Sequence, residues 1–104
     1  MTTFDNRETA FENKYAHDED LRFKVTNRRN KLLGLWAAER LGKEDAAAYA
    51  KEVVLSDFAE AGDDDVLQKV LADLKAANIE ITAEELRSKM TALIAEAKQQ
   101  VMTE

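Results

Sequence analysis

The sequence predicts an all-α protein: an antiparallel four-helix bundle preceded by a mobile N-terminal arm. The 104 residues include no proline and only three glycines, while the helix-favouring residues alanine, leucine, glutamate and lysine are abundant. β-Branched residues nowhere alternate with polar ones over the length of a strand. A chain of this length forms one domain with a single modest core.

Residues 1–20 are the predicted arm. They hold six acids and two bases, and Phe4, Phe11 and Tyr15 fall at helical spacing without the aliphatic residues of a core helix. Such a short helix is marginal in water, because it needs tertiary packing to persist. We therefore expect the arm to be mobile in the free protein and helical against a partner. An ordinary surface helix packed on the bundle is the alternative.

The first helix of the bundle is predicted over residues 21–41, where apolar residues recur every three to four positions and Gly42 follows as a C-terminal stop. Gly34 lies inside this helix, where glycine costs roughly 1 kcal/mol relative to alanine. This cost predicts either close packing by another backbone or a weak point in the helix. The apolar positions are Leu21, Val25, Leu32, Leu35 and Trp36, of which the last three are predicted core residues.

The second and third helices are predicted over residues 44–61 and 64–77. An apolar line from Ala46 to Phe58 marks the second helix, and Gly62 ends it. The run Asp63-Asp64-Asp65 then supplies an N-cap and negative charge for the first turn of the third helix. Asn78 is the predicted left-handed terminator of that helix.

The fourth helix is predicted over residues 83–102. Thr82 and Glu85 form a capping box, Ile81 and Leu86 can form the hydrophobic staple around it, and apolar residues continue one face as far as Val101. Connections of only a few residues favour antiparallel neighbours, which leads to the four-helix bundle.

Enzymatic chemistry finds little support in the sequence. The absence of cysteine excludes disulfides, thiol chemistry and a cysteine zinc site. His17 is the only histidine, it falls in the arm, and it has no second histidine at helical spacing to form a zinc pair. The Asp63-Asp64-Asp65 run lacks the alternating ligands and central glycine of a calcium loop. We expect no enzyme activity, no catalytic residues, no metal site and no required cofactor.

The N-terminus and the length of the apolar runs indicate where in the cell the protein is expected. The opening residues lack the apolar stretch of a signal peptide, and no run approaches the roughly 18 residues that span a bilayer. We therefore expect a cytoplasmic protein that does not insert into the membrane.

Charge is distributed unevenly along this acidic chain. Residues 1–20 carry a balance of −4, residues 21–43 carry +6 from seven bases and one acid, and residues 44–104 carry −8. Nonspecific nucleic-acid binding needs many cations, so these balances argue against it. The basic segment suits one localised anion, such as a nucleotide or an acidic groove.

Arginine guanidinium groups in the basic segment can hold phosphate, and Trp36 or Tyr49 can stack on a purine. Alternatively, Trp36 is core and the arginines are solvated or paired with the acids of other helices. The residues leave both interpretations open.

Four blocks of the chain resemble a known family, the α-proteobacterial zeta subunit of the F-type ATP synthase. The similarity covers essentially the whole chain, and the long basic block is its most specific part. The blocks are Met1-Thr2-Thr3-Phe4-Asp5, Tyr15-Ala16-His17-Asp18, residues 28–38 from Arg28 to Ala38, and Tyr49-Ala50-Lys51-Glu52-Val53-Val54 with Asp57-Phe58.

The resemblance implies a regulatory inhibitor with a four-helix bundle, peripheral to the inner-membrane ATP synthase. Its partners would be the α and β subunits of the catalytic sector and the central rotor, because the arm of the family inserts into a catalytic α/β interface and blocks rotation. Asn13 departs from the pattern, in which alanine is more usual, and lowers helix propensity there. The residues that would carry inhibition are Phe4, Asp5, Arg7, Glu8, Phe11, Lys14, Tyr15, Ala16 and His17.

The resemblance also implies that ADP or ATP binds on the bundle. The motif does not place that pocket residue by residue, so its candidate residues are chosen on physical grounds. An adenine-nucleotide-sensing helical adaptor acting on another partner, or a plain helical adaptor, are the alternative functions. The nucleotide candidates are Arg28, Arg29, Lys31, Trp36, Tyr49 and Lys51.

Overall fold

Five helices make up the regular structure of the described part of the chain. The computed structural model describes residues 3–57 and 64–103, with side chains from Thr9 onward in the first of these ranges. The all-α prediction is confirmed, and part of the predicted arm is itself a helix. The helices are α1 (Thr3–His17), α2 (Glu19–Leu41), α3 (Ala46–Ser56), α4 (Asp64–Ala76) and α5 (Ala83–Met102).

Local signals in the sequence set most of the helix ends. Gly42 adopts the left-handed conformation, with φ of 70°, and its backbone N–H bonds the carbonyl oxygens at the end of α2. Asn78 is also left-handed, with φ of 62°, after α4. At the start of α5, Thr82 and Glu85 form both hydrogen bonds of the capping box. These three predicted ends are confirmed.

Helix α3, predicted as the second helix of the bundle over residues 44–61, differs from that prediction at both ends. α3 begins at Ala46 instead of residue 44, because the Asp45 carboxylate caps the helix by accepting a 3.0 Å hydrogen bond from the backbone N–H of Ala48. It ends at Ser56, where residue 61 was predicted. Phe58, Gly62 and Asp63, which carried predictions, lie outside the described residues.

Helices α2 to α5, here called the helical body, are arranged around α2, which packs on the other three. Side-chain pairs show that neighbours run antiparallel. Arg28 bonds Gln100 while Trp36 lies against Lys89, so α2 and α5 are antiparallel. The pairs Tyr49 with Asp73 and Glu52 with Lys69 show the same for α3 and α4. The closure of these helices into one four-helix bundle stays a prediction.

Gly34 explains how closely α2 and α3 approach each other. A Cβ atom added at this position would lie 2.5 Å from the Ala50 Cα atom and 3.0 Å from its Cβ atom. Only a residue without a side chain fits, so the prediction of close packing by another backbone is confirmed.

The core is divided into two clusters. The main cluster joins α2, α3, α4 and α5 through residues such as Leu33, Val53 and Leu74, and Trp36 packs against it while only partly buried. The second, here called the end cluster, consists of Val25 of α2 with Ala97 and Val101 of α5. Helix α1 reaches the helical body at this end cluster.

Candidate functional site

Helix α1 presents two different faces to its surroundings. Phe11 and Tyr15, one helical turn apart, are half-buried and pack on the end cluster, with their ring centroids 6.4 Å apart and the planes 18° from parallel. The other described residues of the helix are exposed, and one of them, Glu12, pairs with Lys98 of α5. The exposed residues from position 9 onward are Thr9, Ala10, Glu12, Asn13, Lys14, Ala16 and His17.

The predicted inhibitory residues therefore divide into three groups. Phe11 and Tyr15 lie against the helical body, whereas Lys14, Ala16 and His17 are exposed to solvent. The side chains of four others lie outside the described residues: Phe4, Asp5, Arg7 and Glu8. The described arm residues thus form an aromatic face that packs on the helical body and an exposed remainder that includes Lys14, Ala16 and His17.

Along the chain, Asp18 is the one residue between α1 and α2, the first helix of the helical body. Asp18 is extended, with φ of −105° and ψ of 107°, and its carboxylate accepts a 3.1 Å hydrogen bond from the backbone N–H of Leu21. This bond caps α2, and Glu19 and Asp20 place negative charge in its first turn. The start of α2 is therefore stabilised locally and does not depend on α1.

Lys98 of α5 makes two contacts with the arm. Its Nζ atom lies 3.4 Å from the Glu12 carboxylate and 4.3 Å from the centroid of the Tyr15 ring. A shallow cavity of about 270 Å³ lies beside these contacts, between α1 and α5. Its lining residues are Phe11, Glu12, Thr91, Ile94, Ala95, Lys98, Gln99 and Met102.

The basic segment of α2 lies on several sides of the helix. Arg29 is buried, with 1% of its surface exposed, and its Nε donates a 2.7 Å hydrogen bond to the Asn30 side chain, which donates in turn to Asp57. Arg28 donates a 3.0 Å hydrogen bond to Gln100 of α5. Lys31 is exposed. Arg28 and Arg29 are therefore both hydrogen-bonded within the helical body.

The six predicted nucleotide residues do not share one cavity. Arg29, Trp36 and Tyr49 each line a different one, and Lys51 is exposed on α3. Tyr49 is buried, with 2% of its surface exposed, so its ring has no open face for a base to stack on. Among these candidates, Trp36 has the most favourable surroundings for an aromatic ligand.

Trp36 lines a cavity of about 490 Å³ between the end of α2 and the start of α5. The Arg40 guanidinium lies 4.7 Å from its ring centroid and the Lys89 ammonium lies 5.5 Å away, both within range of cation–π attraction. Glu80 and Glu85 also line the cavity, so its charge is mixed. An aromatic ring with two cations can hold a flat ligand that bears negative charge.

Tyr49 belongs to a polar network between α3 and α4. Its hydroxyl donates a 2.7 Å hydrogen bond to Asp73, which also pairs with Lys69 at 2.9 Å. Burial raises the pKa of Tyr49 well above its usual value, and Asp73 and Glu52 raise it further. The phenol therefore stays protonated over the physiological pH range.

Asp73 and Lys69 hold their charges in this network despite partial burial. Desolvation is the largest single influence and opposes the charged form of each group, but the hydrogen bonds and charge interactions within the network together outweigh it. The pKa of Asp73 is lowered by Lys69 and Tyr49, and that of Lys69 is raised by Asp73 and Glu52. The network thus cross-links α3 and α4.

Sequence reasoning missed the cations that contact Trp36 and the arm: Arg40, Lys89 and Lys98. Arg40 was within its reach, since it follows Trp36 by four positions on one helix and such pairs are neighbours. Lys89 and Lys98 carry no local signal, because their aromatic partners lie on α2 and α1. Asp73 also carries no local signal, because its partner Tyr49 lies on α3.

Within residues 3–57 and 64–103, no helix is both long enough and apolar enough to cross a membrane. A comparison with curated proteins finds no match. The chain does match the family described as ATPase inhibitor subunit zeta, over residues 1–100. Because this range takes in the arm and nearly all of the helical body, the chain belongs to the ATPase inhibitor subunit zeta family, whose role is regulatory rather than catalytic.

Proposed function

We propose that this protein lowers ATP hydrolysis by the F-type ATP synthase, with its arm inserted into a catalytic α/β interface near the central rotor. The observation that carries the proposal is the family match, which spans the arm and the helical body together. The protein would act at the periphery of the membrane-bound synthase, on its cytoplasmic side.

The arm has the physical properties that such an insertion needs. Phe11 and Tyr15 can serve as aromatic anchors, which dominate the binding energy of many interfaces. The helix already formed by residues 3–17 lowers the ordering entropy that binding would otherwise cost. Asp18 allows the arm to leave without unwinding α2, because the cap of that helix uses only Asp18 and Leu21.

Removing the arm provides the direct test of the proposal. The full chain, added to the isolated catalytic sector of its own organism, is expected to lower ATP hydrolysis in a saturable manner. Deletion of residues 1–17 should abolish the effect while keeping Asp18 as the N-cap of α2. Circular dichroism and urea unfolding of the truncated protein would verify that the helical body is folded.

Two substitutions refine this test. Phe11→Ala and Tyr15→Ala should each weaken inhibition, whereas Glu96→Gln, an exposed change on α5, should leave it unaltered. Unchanged hydrolysis at saturating full-length protein would refute the proposal. Full inhibition by the truncated protein would refute the role of the arm.

A second candidate function, adenine-nucleotide binding, is favoured by the surroundings of Trp36. We propose that the base stacks on this ring and that Arg40 and Lys89 face the phosphates, while Glu80 and Glu85 restrict where the phosphates can lie. A sensing adaptor that acts on another partner would bind nucleotide in the same way but leave the synthase unaffected.

The single tryptophan gives a direct signal for this binding. Titration with ADP should change Trp36 fluorescence, and Arg40→Gln should weaken the response. Arg28→Gln tests the basic segment predicted from the sequence, since Arg28 precedes Trp36 by eight positions, about 12 Å along α2. If only Arg28→Gln weakens ADP binding, the nucleotide does not occupy the Trp36 cavity. Amide shifts that are absent near Trp36 would also exclude that site.

A further inference from the structure

One lysine of the helical body, Lys98, contacts two residues of the arm. Lys98 lies on the face of α5 next to the end cluster, with its ammonium 3.4 Å from the Glu12 carboxylate and 4.3 Å from the Tyr15 ring. Glu12 and Tyr15 are neighbours three residues apart on α1, and 86 residues separate Glu12 from Lys98 in the chain. The two contacts together fix the side of α1 that faces α5.

The same contacts cover the aromatic face of the arm. Phe11 and Tyr15 pack on the end cluster with Ile94 and Leu21 nearby, and Lys98 lines the cavity beside them. An arm docked in this way presents only the exposed part of these half-buried rings to another protein. A partner that encloses the rings must first displace them from α2 and α5.

We infer that Lys98 is a latch that keeps the arm docked on the helical body and so limits its availability to the synthase. The inference rests on the proposed function for its regulatory consequence. Docking and release form a two-state equilibrium of the arm, and Lys98 biases that equilibrium toward the docked state. The latched arm is thus in competition with its own target.

The physical strength of the latch suits a reversible switch. A partly exposed ion pair and a cation–π contact are each modest in water, and Lys98 keeps 25% of its side-chain surface exposed. Removal of its charge should therefore raise the undocked fraction by about fivefold. Removal of the Glu12 charge alone, which leaves the ring contact, should raise it by about twofold.

Amide hydrogen exchange of the full-length chain measures this fraction without any partner. In Lys98→Gln, the amides of residues 9–17 should exchange about fivefold faster, while those of the main core cluster should not change. Glu12→Gln should give the smaller effect. Lys75→Gln is the matched control, because it makes the same change of charge on an exposed site of α4. Sodium chloride should speed exchange of the arm in the unmodified protein more than in Lys98→Gln.

The hydrolysis assay then tests the regulatory consequence. Lys98→Gln should inhibit at a concentration lower by as much as about fivefold, because more of the arm is available at the start. Equal exchange of the arm in the unmodified protein, Lys98→Gln and Lys75→Gln would overturn the latch. Faster exchange with unchanged or weaker inhibition would overturn its regulatory role. If no form of the protein lowers hydrolysis, the proposed function fails, and the exchange data alone decide whether Lys98 holds the arm.

Discussion

Replacement of Gly34 by alanine tests how α2 and α3 are held together. Helix propensity alone predicts that this change stabilises the protein by about 1 kcal/mol, because Gly34 lies in the interior of α2. The structure predicts the opposite sign. The new Cβ atom would lie 2.5 Å from the Ala50 Cα atom, which belongs to the backbone of α3 and cannot move by a change of rotamer.

The magnitude follows from the contact distances. Carbon atoms pack best at about 3.5 to 4.0 Å, so α2 and α3 must separate by about 1 Å to accept the methyl group. Overpacking of a core costs about 1 to 3 kcal/mol, and a clash with backbone belongs at the upper end of that range. After the gain in helix propensity, a net loss of about 2 kcal/mol is expected. For a domain of this size the loss corresponds to a Tm lower by about 8 to 16 °C.

Urea unfolding monitored by circular dichroism measures this loss. The double variant Gly34→Ala/Ala50→Gly removes the 3.0 Å contact with the Ala50 Cβ atom but keeps the closer contact with its Cα atom. Because the backbone clash remains, the double variant should be no more stable than Gly34→Ala. Ala47→Gly, on the exposed face of α3, provides the propensity cost of glycine in that helix. A Gly34→Ala variant as stable as the unmodified protein, or more stable, would refute the reasoning.

Further predictions concern the helix cap, the polar network and a surface ion pair. Thr82→Ala should lower the free energy of unfolding by about 1 kcal/mol, because it removes the capping box of α5; urea unfolding measures this loss. Tyr49→Phe should cost about 1 kcal/mol near neutral pH by removing the hydrogen bond to Asp73. The raised pKa of Tyr49 also means that its contribution is complete below its ordinary pKa of 10.0 and is lost as pH rises through the folded pKa. Urea unfolding from pH 8 to 11 should therefore show a shallower alkaline loss in the phenylalanine variant. Arg87→Gln should change stability by about 0.5 kcal/mol or less, since its pair with Asp64 is exposed on both sides.

Each of these predictions has a contrary outcome and a control. Thr82→Ser keeps the capping oxygen, so a loss equal to that of Thr82→Ala would show that the cap is not the cause. If the free energy of unfolding falls equally between pH 8 and 11 in Tyr49→Phe and in the unmodified protein, the Tyr49 hydroxyl does not cause the alkaline loss of stability. A loss above about 1 kcal/mol in Arg87→Gln would mean that this side chain does more than form a surface pair.

The polar network also determines how stability changes in acid. The lowered pKa of Asp73 means that its contribution is present above its ordinary value of 3.8 and is lost as pH falls through the folded pKa. Asp73→Asn should therefore flatten the acid limb of the stability curve, which urea unfolding between pH 2 and 5 would show. A variant with an unaltered acid limb would contradict the assignment.

Helix ends were the part of the fold that the sequence determined best. The left-handed residues Gly42 and Asn78 and the capping box at Thr82 were all identified correctly, because each depends on atoms within about four residues along the chain. The start of α3 was placed two residues early, because Asp45 is the N-cap and the apolar pattern alone does not show where the cap lies.

The candidate sites depended more on tertiary structure. The sequence identified Trp36, the basic segment of α2 and the aromatic residues of the arm, yet it could not assign their surroundings. Arg29 was a candidate ligand for phosphate, and packing placed it almost wholly inside the helical body. An arginine has the same chemistry whether it binds phosphate at the surface or is buried in the helical body. Only the residues packed around it decide between these two roles.

By itself, the sequence determined the helical class, most helix ends and the family, and it left close packing and a weak point as the two explanations of Gly34. Tertiary structure alone decided that Lys89 faces Trp36 and that Lys98 holds Glu12 and Tyr15. The physical reason is the range of the forces involved. Caps and turns are hydrogen bonds between near neighbours in the chain, whereas the contact of Lys98 with Glu12 joins residues 86 positions apart and exists only once the helices have packed.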